Sequence, residues 1–447
     1  MIRITDTSKG NLGNTIIKPA FDSHEPPSRE LIDDCIHCGF CLPTCPTYLL
    51  WGEEMDSPRG RIYLMKAALN GDPLTDSMVL HWDLCLGCMA CVTACPSGVK
   101  YDRLIEDTRY QVERRYPRAL ADRAFRKLIF EIFPHPNRLR AILPLLLFYR
   151  HSPLSKVLES RLLSKLIPSR LRNLLELAPE VDPSQFSYKY PEKIPAKGKR
   201  RAKVGLVTGC VQRVFFSHVN RATINVLSAE GCEVYIPRSQ GCCGALALHS
   251  GNKDAARDFA RSLINAFEGL DLDYIVINAA GCGSTLKEYA LLLQNDAIYR
   301  DRAKEFAGKI VDVSELLVKL GPVAKRHPLR IRVAYHDACH LRHAQGIRKE
   351  PRELLTSIPE LELVEPPEAD ICCGSAGIYN LLNPEAAREL GERKLKNISS
   401  TGAKYVASAN PGCTLQIGSI AQLHNQSFHI AHPVEYLEAS ILGKGIP

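Results

Sequence analysis

The stretch CIHCGFCLPTCP, residues 35–46, returns at residues 85–96 as CLGCMACVTACP. Both runs read C-x2-C-x2-C-x3-C-P. Each therefore offers four thiolates from one short loop and ends on a proline that stops a helix from running back through it. These eight residues belong to a chain of 447 with seventeen cysteines, a number that itself needs an account. The amino terminus has no apolar run of signal-peptide length, so disulfides formed in an oxidising compartment are not the expectation. Metal ligation is the better reading.

The spacing is that of bacterial ferredoxins. Three thiolates of a run close around one [4Fe-4S] cubane, and the fourth leaves the loop to reach the other cluster. The expected ligand sets are Cys35, Cys38, Cys41 and Cys95 for one cluster, and Cys85, Cys88, Cys91 and Cys45 for the other. Zinc knuckles are the plainer alternative, but zinc needs four ligands at two-plus-two spacing, and two matching quartets exceed that need. Between the runs, SPRGRIYLMKAALNGDP places Ile62, Met65 and Leu69 at helical spacing before Gly71 and Pro73 stop the segment. A helix thus joins the two ligand runs. Arg59 and Arg61 at its start either contact a cluster or a partner acid, or form an ordinary solvated helix start.

Residues 101–203 carry 23 Lys and Arg against 11 Asp and Glu, enough to account for the whole chain's net charge of +8. Within them Leu154, Leu158, Leu162 and Leu166 step by four beside Lys156, Arg161 and Lys165, an amphipathic basic helix interrupted at Pro168. It has three readings: an anionic membrane face, an acidic partner subunit, or a helical layer covering a core. Nucleic acid is disfavoured, because the segment is leucine-rich and lacks interleaved aromatic residues. The run AILPLLLFY at residues 141–149 is far below the roughly 20 residues that span a bilayer. The expected location is cytoplasmic, with the inner face of the cell membrane as a place of peripheral contact. Residues 190–203, proline-rich and basic, read as a linker.

An internal repeat follows. Cys210, Cys242, Cys243 and Cys282 are matched by Cys339, Cys372, Cys373 and Cys413 at offsets of 129 to 131 residues. Each half opens on a β-run (KVGLVTGC, IRVAYHDAC), passes through a helical stretch to a Cys-Cys-Gly loop, and returns on a β-run to its last cysteine (YIVINAAGC, YVASANPGC). Alternating β and α segments predict a parallel sheet in each half, with the first and last cysteines just past strand carboxyl ends. Cys232 has no counterpart and reads as a small buried apolar residue.

The pattern C…CCG…GC, twice, resembles the cysteine-rich CCG domain of heterodisulfide reductase and related electron-transfer subunits. With CIHCGFCLPTCPTY, SPRGRIYLMK, ACPSGVKY, GCCGA, GCGSTLKEY, HLRHAQ, CCGSAGIYNLLNPEAARELGERKLKNI and NPGC, nearly the whole chain resembles the iron-sulfur subunits of bacterial glycolate oxidase. The resemblance implies flavin-containing partner subunits that oxidise a 2-hydroxy acid, and a chain that relays their electrons to a quinone or another carrier. The iron-sulfur subunits of lactate or anaerobic glycerol-3-phosphate dehydrogenases, or of heterodisulfide reductase-like complexes, are close alternatives. One departure matters. The full CCG motif ends in C-x-x-C, but Ala279 and Asn410 stand where its earlier cysteine would be. A five-thiolate cluster and disulfide chemistry are therefore in doubt, and four-thiolate cubanes, zinc or an empty degenerate half remain, with Cys339, Cys372, Cys373 and Cys413 the preferred quartet.

His336, His340 and His343 surround Cys339. A histidine there replaces the missing thiolate, moves protons for a quinone, or simply hydrogen-bonds the loop. GCGSTL follows a strand but lacks the last glycine of a dinucleotide fingerprint. The sequence holds no flavin or nicotinamide motif, no Ser-His-Asp arrangement and no phosphate loop, so no catalytic residue is assigned and the electrons must come from another protein. The expected fold class is α+β multidomain. A mainly helical two-cluster ferredoxin module covers 1–105, a basic helical segment and linker 106–200, and repeated α/β CCG domains 201–325 and 326–447.

Overall fold

The computed structural model describes residues 19–152, 169–178 and 189–446. Its amino-terminal part is helical. The Pro58–Leu69 helix lies where the periodicity predicts it, started by Pro58 at its first position and by Ser57 Oγ, which accepts the Gly60 N–H at 3.0 Å. Ile62 and Met65 turn inward, joining Trp82, Leu104, Ile105 and Val112 in one apolar core beneath the ligand loops. The loops themselves coil through left-handed residues at matching places, His37 and Gly39 in one, Gly87 and Met89 in the other.

Both carboxy-terminal halves are parallel sheets flanked by helices. In the first, β2 (Ala202–Leu206) lies between β3 (Cys232–Tyr235) and β4 (Tyr274–Ile277), and β5 (Ile310–Asp312) continues beyond β4, all parallel. In the second, β6 (Ile331–His336) lies between β7 (Leu361–Val364) and β8 (Tyr405–Ser408), with β9 (His429–Ala431) beyond. Both central strands are largely buried, as expected where helices cover both faces of a sheet. Cys232 is fully buried at the start of β3. The stretch read as a linker departs from expectation. Lys193–Ile194 is strand β1, antiparallel to β3 at the sheet edge, and Tyr190 packs into the core. Two strand residues among prolines and lysines leave no periodic signal.

The halves pack face to face as a repeat should. The Ser217–Ala229 helix of the first lies on Pro433–Leu442 of the second, and Val313–Leu320 of the first lies on Glu350–Thr356 of the second, two equivalent contacts related by a pseudo-two-fold. Asp312 with Glu315, and His432 with Glu435, form matching capping boxes at the last helix of each half. A single apolar core runs through both, from Val204 and Leu206 to Val333, Tyr335 and Tyr436.

Of the basic middle segment, Leu120–Ile132, Pro136–His151 and Ser169–Glu176 are helices. Ile129, Phe133, Leu174 and Leu177 pack on Leu246 of the first half and Ile378 and Leu381 of the second. Leu154, Leu158, Leu162, Leu166, Lys156, Arg161 and Lys165 lie outside the described residues. Among the described residues no helix is long and apolar enough to cross a membrane.

Candidate metal centres

All seventeen cysteines are free thiols. Cys35, Cys38, Cys41 and Cys95 line one small cavity with Gly39, Arg59 and Pro96. It opens to the surface: Cys38 is exposed, and Ile36 and Phe40 beside it are 70% and 65% exposed. Cys45 is buried, is not among the residues that line this cavity, and bears electrostatically on Cys41 of its own loop as well as on the second run. Its sulfur lies 3.3 Å from Thr47 Oγ1 and 3.9 Å from Arg61 Nη1, on the side where its charge bears on Cys88 and Cys91. Cys85, Cys88 and Cys91 are all buried.

Arg61 is no solvated helix start. It is 1% exposed and donates to the His81 carbonyl at 2.6 Å, to Thr47 Oγ1 at 3.1 Å and to Asp56 Oδ1 at 3.2 Å. Three hydrogen bonds satisfy a buried guanidinium that would otherwise be costly to desolvate. Arg59 remains partly exposed, holding Glu54 at 2.6 Å and the His37 carbonyl at 3.0 Å. Burial pushes the Cys85 thiol up, but Arg61 and Arg109, with a Tyr101 hydroxyl donor at 3.5 Å and the Gly87 N–H at 3.3 Å, bring it net below its ordinary value. Cys41 is pushed up by burial to about 11 despite backbone hydrogen bonds that lower it. Charged and N–H donors aimed at sulfur are among the means by which a protein tunes an iron-sulfur centre.

In each cysteine-rich half the four sulfurs gather where the strand ends meet. Cys242 Sγ lies 3.5 Å from Cys210 Sγ and accepts the Gly244 N–H at 3.3 Å. Cys243 contacts both Cys242 and Cys282, and in the second half Cys372 contacts Cys339 and Cys373 contacts Cys413. Hydrogen bonding to their neighbours drives Cys242 and Cys372 well up and Cys243 and Cys373 well down. Four thiols crowded in a dry place share protons this way, and a soft cation that displaces the protons resolves the conflict, so the donor sets fit a metal group. Gly374 lets the chain turn here at φ +89°, and a Cβ on it would meet the Ala387 carbonyl oxygen at 2.6 Å.

The second ferredoxin-type quartet adjoins the second half directly. Leu86, Cys88 and Ala90 share one apolar cluster with Cys339, Cys372 and Tyr379, and Thr93 Oγ1 lies 2.9 Å from His343 Nδ1. His340 Nδ1 lies 3.4 Å from Cys339 Sγ, and its ring is 5.0 Å from that of His249, which bonds Glu106 at 2.9 Å. His249, Glu106, Glu288 and Arg109 carry no signal in the sequence, because nothing local marks a lone polar residue that tertiary packing carries to a domain junction. Asn410, in place of a cysteine, joins the halves instead. Its Oδ1 accepts the Gly281 N–H at 3.2 Å, and its Nδ2 donates to Cys413 Sγ at 3.5 Å.

Surface-to-interior cysteine quartets on a ferredoxin module, docked on a duplicated cysteine-rich α/β pair, define an iron-sulfur protein of electron transfer. Residues 31–99 match the 4Fe-4S dicluster domain, 204–287 and 333–418 the cysteine-rich domain, and 121–178 the linker region of the glycolate oxidase iron-sulfur subunit. The chain is 40% identical over 395 residues to the probable glycolate oxidase iron-sulfur subunit of Bacillus subtilis (strain 168), covering 87% of this chain and 88% of that one. It is 34% identical over 419 residues to the glycolate oxidase iron-sulfur subunit of Escherichia coli (strain K12), covering 92% and 95%. Lactate utilization protein A of Oceanobacillus iheyensis is 32% identical over 236 residues, which are 53% of this chain and 96% of that one. The chain belongs to the glycolate oxidase iron-sulfur subunit family.

Proposed function

We propose that this chain is the electron-transfer subunit of a glycolate oxidase complex, receiving single electrons from a flavin-containing partner and passing them to a quinone or another carrier. It does not oxidise substrate alone, since two-electron oxidation of a 2-hydroxy acid needs a hydride acceptor such as flavin held against the substrate carbon. The observation that carries the reading is the gradient of burial. One quartet opens at a surface rimmed by Ile36 and Phe40, the next is buried, and the second cysteine-rich quartet shares an apolar cluster with it. Such an order suits a path from a docking surface to the interior.

We assign Cys35, Cys38, Cys41 and Cys95 to one [4Fe-4S] cluster and Cys85, Cys88, Cys91 and Cys45 to the other. The shared cavity supports the first set, and the burial of Cys45 beside Arg61, outside that cavity's lining, the second. A third group, iron-sulfur or zinc, belongs with Cys339, Cys372, Cys373 and Cys413. Clusters so held supply one-electron chemistry. The protein's part is to bury them, aim Arg61, Tyr101 and backbone donors at the thiolates, and expose one edge. The domain limits 1–105, 106–200, 201–325 and 326–447 remain the working division except that the boundary at 200 moves ahead of Lys193, since β1 belongs to the first cysteine-rich unit. Peripheral contact with the inner face of the cell membrane is supported by Leu145 and Phe148, 68% and 67% exposed on a helix that leads into the basic stretch. A lactate-oxidising complex is less favoured, because the lactate utilization relative aligns with only half of the chain.

The test is iron and sulfide analysis of anaerobically purified protein with low-temperature paramagnetic resonance of its reduced state. About eight irons per chain in two cubanes are expected before any third group is counted. Fewer than about four after reconstitution would contradict the reading.

A further inference from the structure

Strand β6 ends inside the second cysteine-rich quartet, and its last residue is His336. The side chain is 1% exposed, and among the described residues no N–H or oxygen partners either ring nitrogen; the ring's polar neighbour is the Cys373 sulfur. A buried polar atom left unsatisfied costs about 1–3 kcal/mol, so an imidazole enclosed with no partner but a cysteine sulfur points to a ligand that the polypeptide does not supply. A ring nitrogen of His336 and the sulfurs of Cys373 and Cys413 lie within 4.8 Å of one another.

The strand register explains why this histidine arrives there. β6 pairs with β8 so that His336 stands opposite Ser408, two residues before Asn410. Asn410 is engaged with the Gly281 N–H and the Cys413 sulfur. The neighbouring strand thus brings an imidazole to the edge of the quartet where the second half has no fifth thiol. The equivalent strand position of the first half has no such donor, and His249, the histidine whose charge bears on Cys243, is engaged by Glu106 and Thr285. Val207, also three residues before that half's first cysteine, is fully buried and apolar.

We propose that His336 is a nitrogen ligand of the metal centre in the second cysteine-rich half, which makes that half a mixed imidazole-thiolate site and leaves the first with thiolates alone. The proposal rests on the reading that the second half is metal-loaded. One imidazole among thiolates suits the iron of an iron-sulfur cluster or a zinc ion. In the iron case a neutral ligand in place of an anionic thiolate raises the reduction midpoint, because the more negative reduced state is less opposed.

The experiment uses the full chain, purified anaerobically from cells fed 15N-histidine. Metal content is compared with that of a Cys372→Ala/Cys373→Ala variant to count what the second half holds. If the metal is iron, pulsed paramagnetic resonance of the reduced protein should show a strong 15N coupling of a bound imidazole, lost in His336→Ala and retained in His343→Ala. If it is zinc, X-ray absorption at the zinc edge should show one nitrogen among sulfurs, and sulfurs alone in His336→Cys. Because the unsubstituted protein gives the primary readout, a variant that fails to fold does not block the test. A loaded second half with an all-sulfur shell and no imidazole coupling overturns the ligand role of His336 and leaves the loaded half standing. Equal metal content in the two proteins overturns both.

Discussion

Arg109 Nη1 donates to the His249 carbonyl oxygen at 2.9 Å, so one guanidinium on the Tyr101–Arg115 helix ties the cysteine loop it also contacts to the first cysteine-rich half. Its other nitrogen donates to the carbonyls of Trp82, at 3.3 Å, and Cys85, and its charge favours the Cys85 thiolate. Replacing it by methionine keeps most of the volume and removes three charge-assisted bonds. Hydrogen bonds to charged groups are worth about 1.5–3 kcal/mol, and at this half-buried junction a loss of about 3 kcal/mol is expected in urea unfolding, with iron lost first from the Cys85 quartet. An unchanged midpoint would show that the junction is held by apolar packing alone.

Arg61→Met should cost more, about 3–5 kcal/mol, because it leaves the buried Asp56 carboxylate with only the His81 ring, at 2.9 Å, as a side-chain partner. It should also lower the reduction midpoint of the Cys45-linked centre, since a positive charge beside those thiolates is lost. Arg61→Lys separates the two effects. The charge persists and the three-point bonding does not, so stability falls while the midpoint stays near that of the unsubstituted protein. Redox titration followed by paramagnetic resonance reads both variants.

Exchange of the fourth ligands is tested by comparing Cys45→Ser with Cys95→Ser. If each thiolate serves the other loop, Cys45→Ser perturbs the signal that Cys88→Ser also perturbs, and Cys95→Ser the signal shared with Cys38→Ser. The opposite pairing would mean that each loop holds its own cluster.

The pattern of cysteines carried most of this architecture into view. Ligation demands fixed spacing, and the repeat of Cys210, Cys242, Cys243 and Cys282 implied two sheets before any strand was seen. What escaped the sequence depends on long-range packing. Arg61 reads like any helix-start arginine until Thr47, Asp56 and the His81 carbonyl close around it. The choice of His336 among three histidines near Cys339 follows from β-register, which sequence spacing does not carry. β1 is two residues long and takes its strand character from β3.

Stability should fall between mildly acidic and mildly alkaline pH through Glu106 and Glu288. Burial first, then Asp102 and Asp107, raise Glu106 to about 7, while Lys253 and His340 oppose the shift. Burial, then Glu106 and Asp102, raise Glu288 to about 8 against His340 and Arg103. An acid raised in the folded state keeps its proton there after the unfolded chain has released it. Its contribution is complete below about 4.5 and drains away as pH rises through about 7 and 8. His249, held down to about 3 by burial, is neutral in the folded chain but charged in the unfolded one below about 6.5, so it opposes this fall on the acid side. Glu106→Gln/Glu288→Gln should make the fall of the urea midpoint between about pH 5 and 8 shallower, while Asp312 and Glu435, also raised by burial, keep their own share. An unchanged slope would place the charge elsewhere.

The central claim is that this chain carries electrons that another subunit extracts. Its most direct test is glycolate-dependent reduction of a quinone by three preparations: this chain alone, the flavin-containing partners alone, and the reconstituted set. The account predicts turnover only in the reconstituted set, and its loss when the Cys88 quartet is disrupted. Substantial turnover by the flavin-free chain, or full quinone-linked activity by the partners without it, would contradict the account.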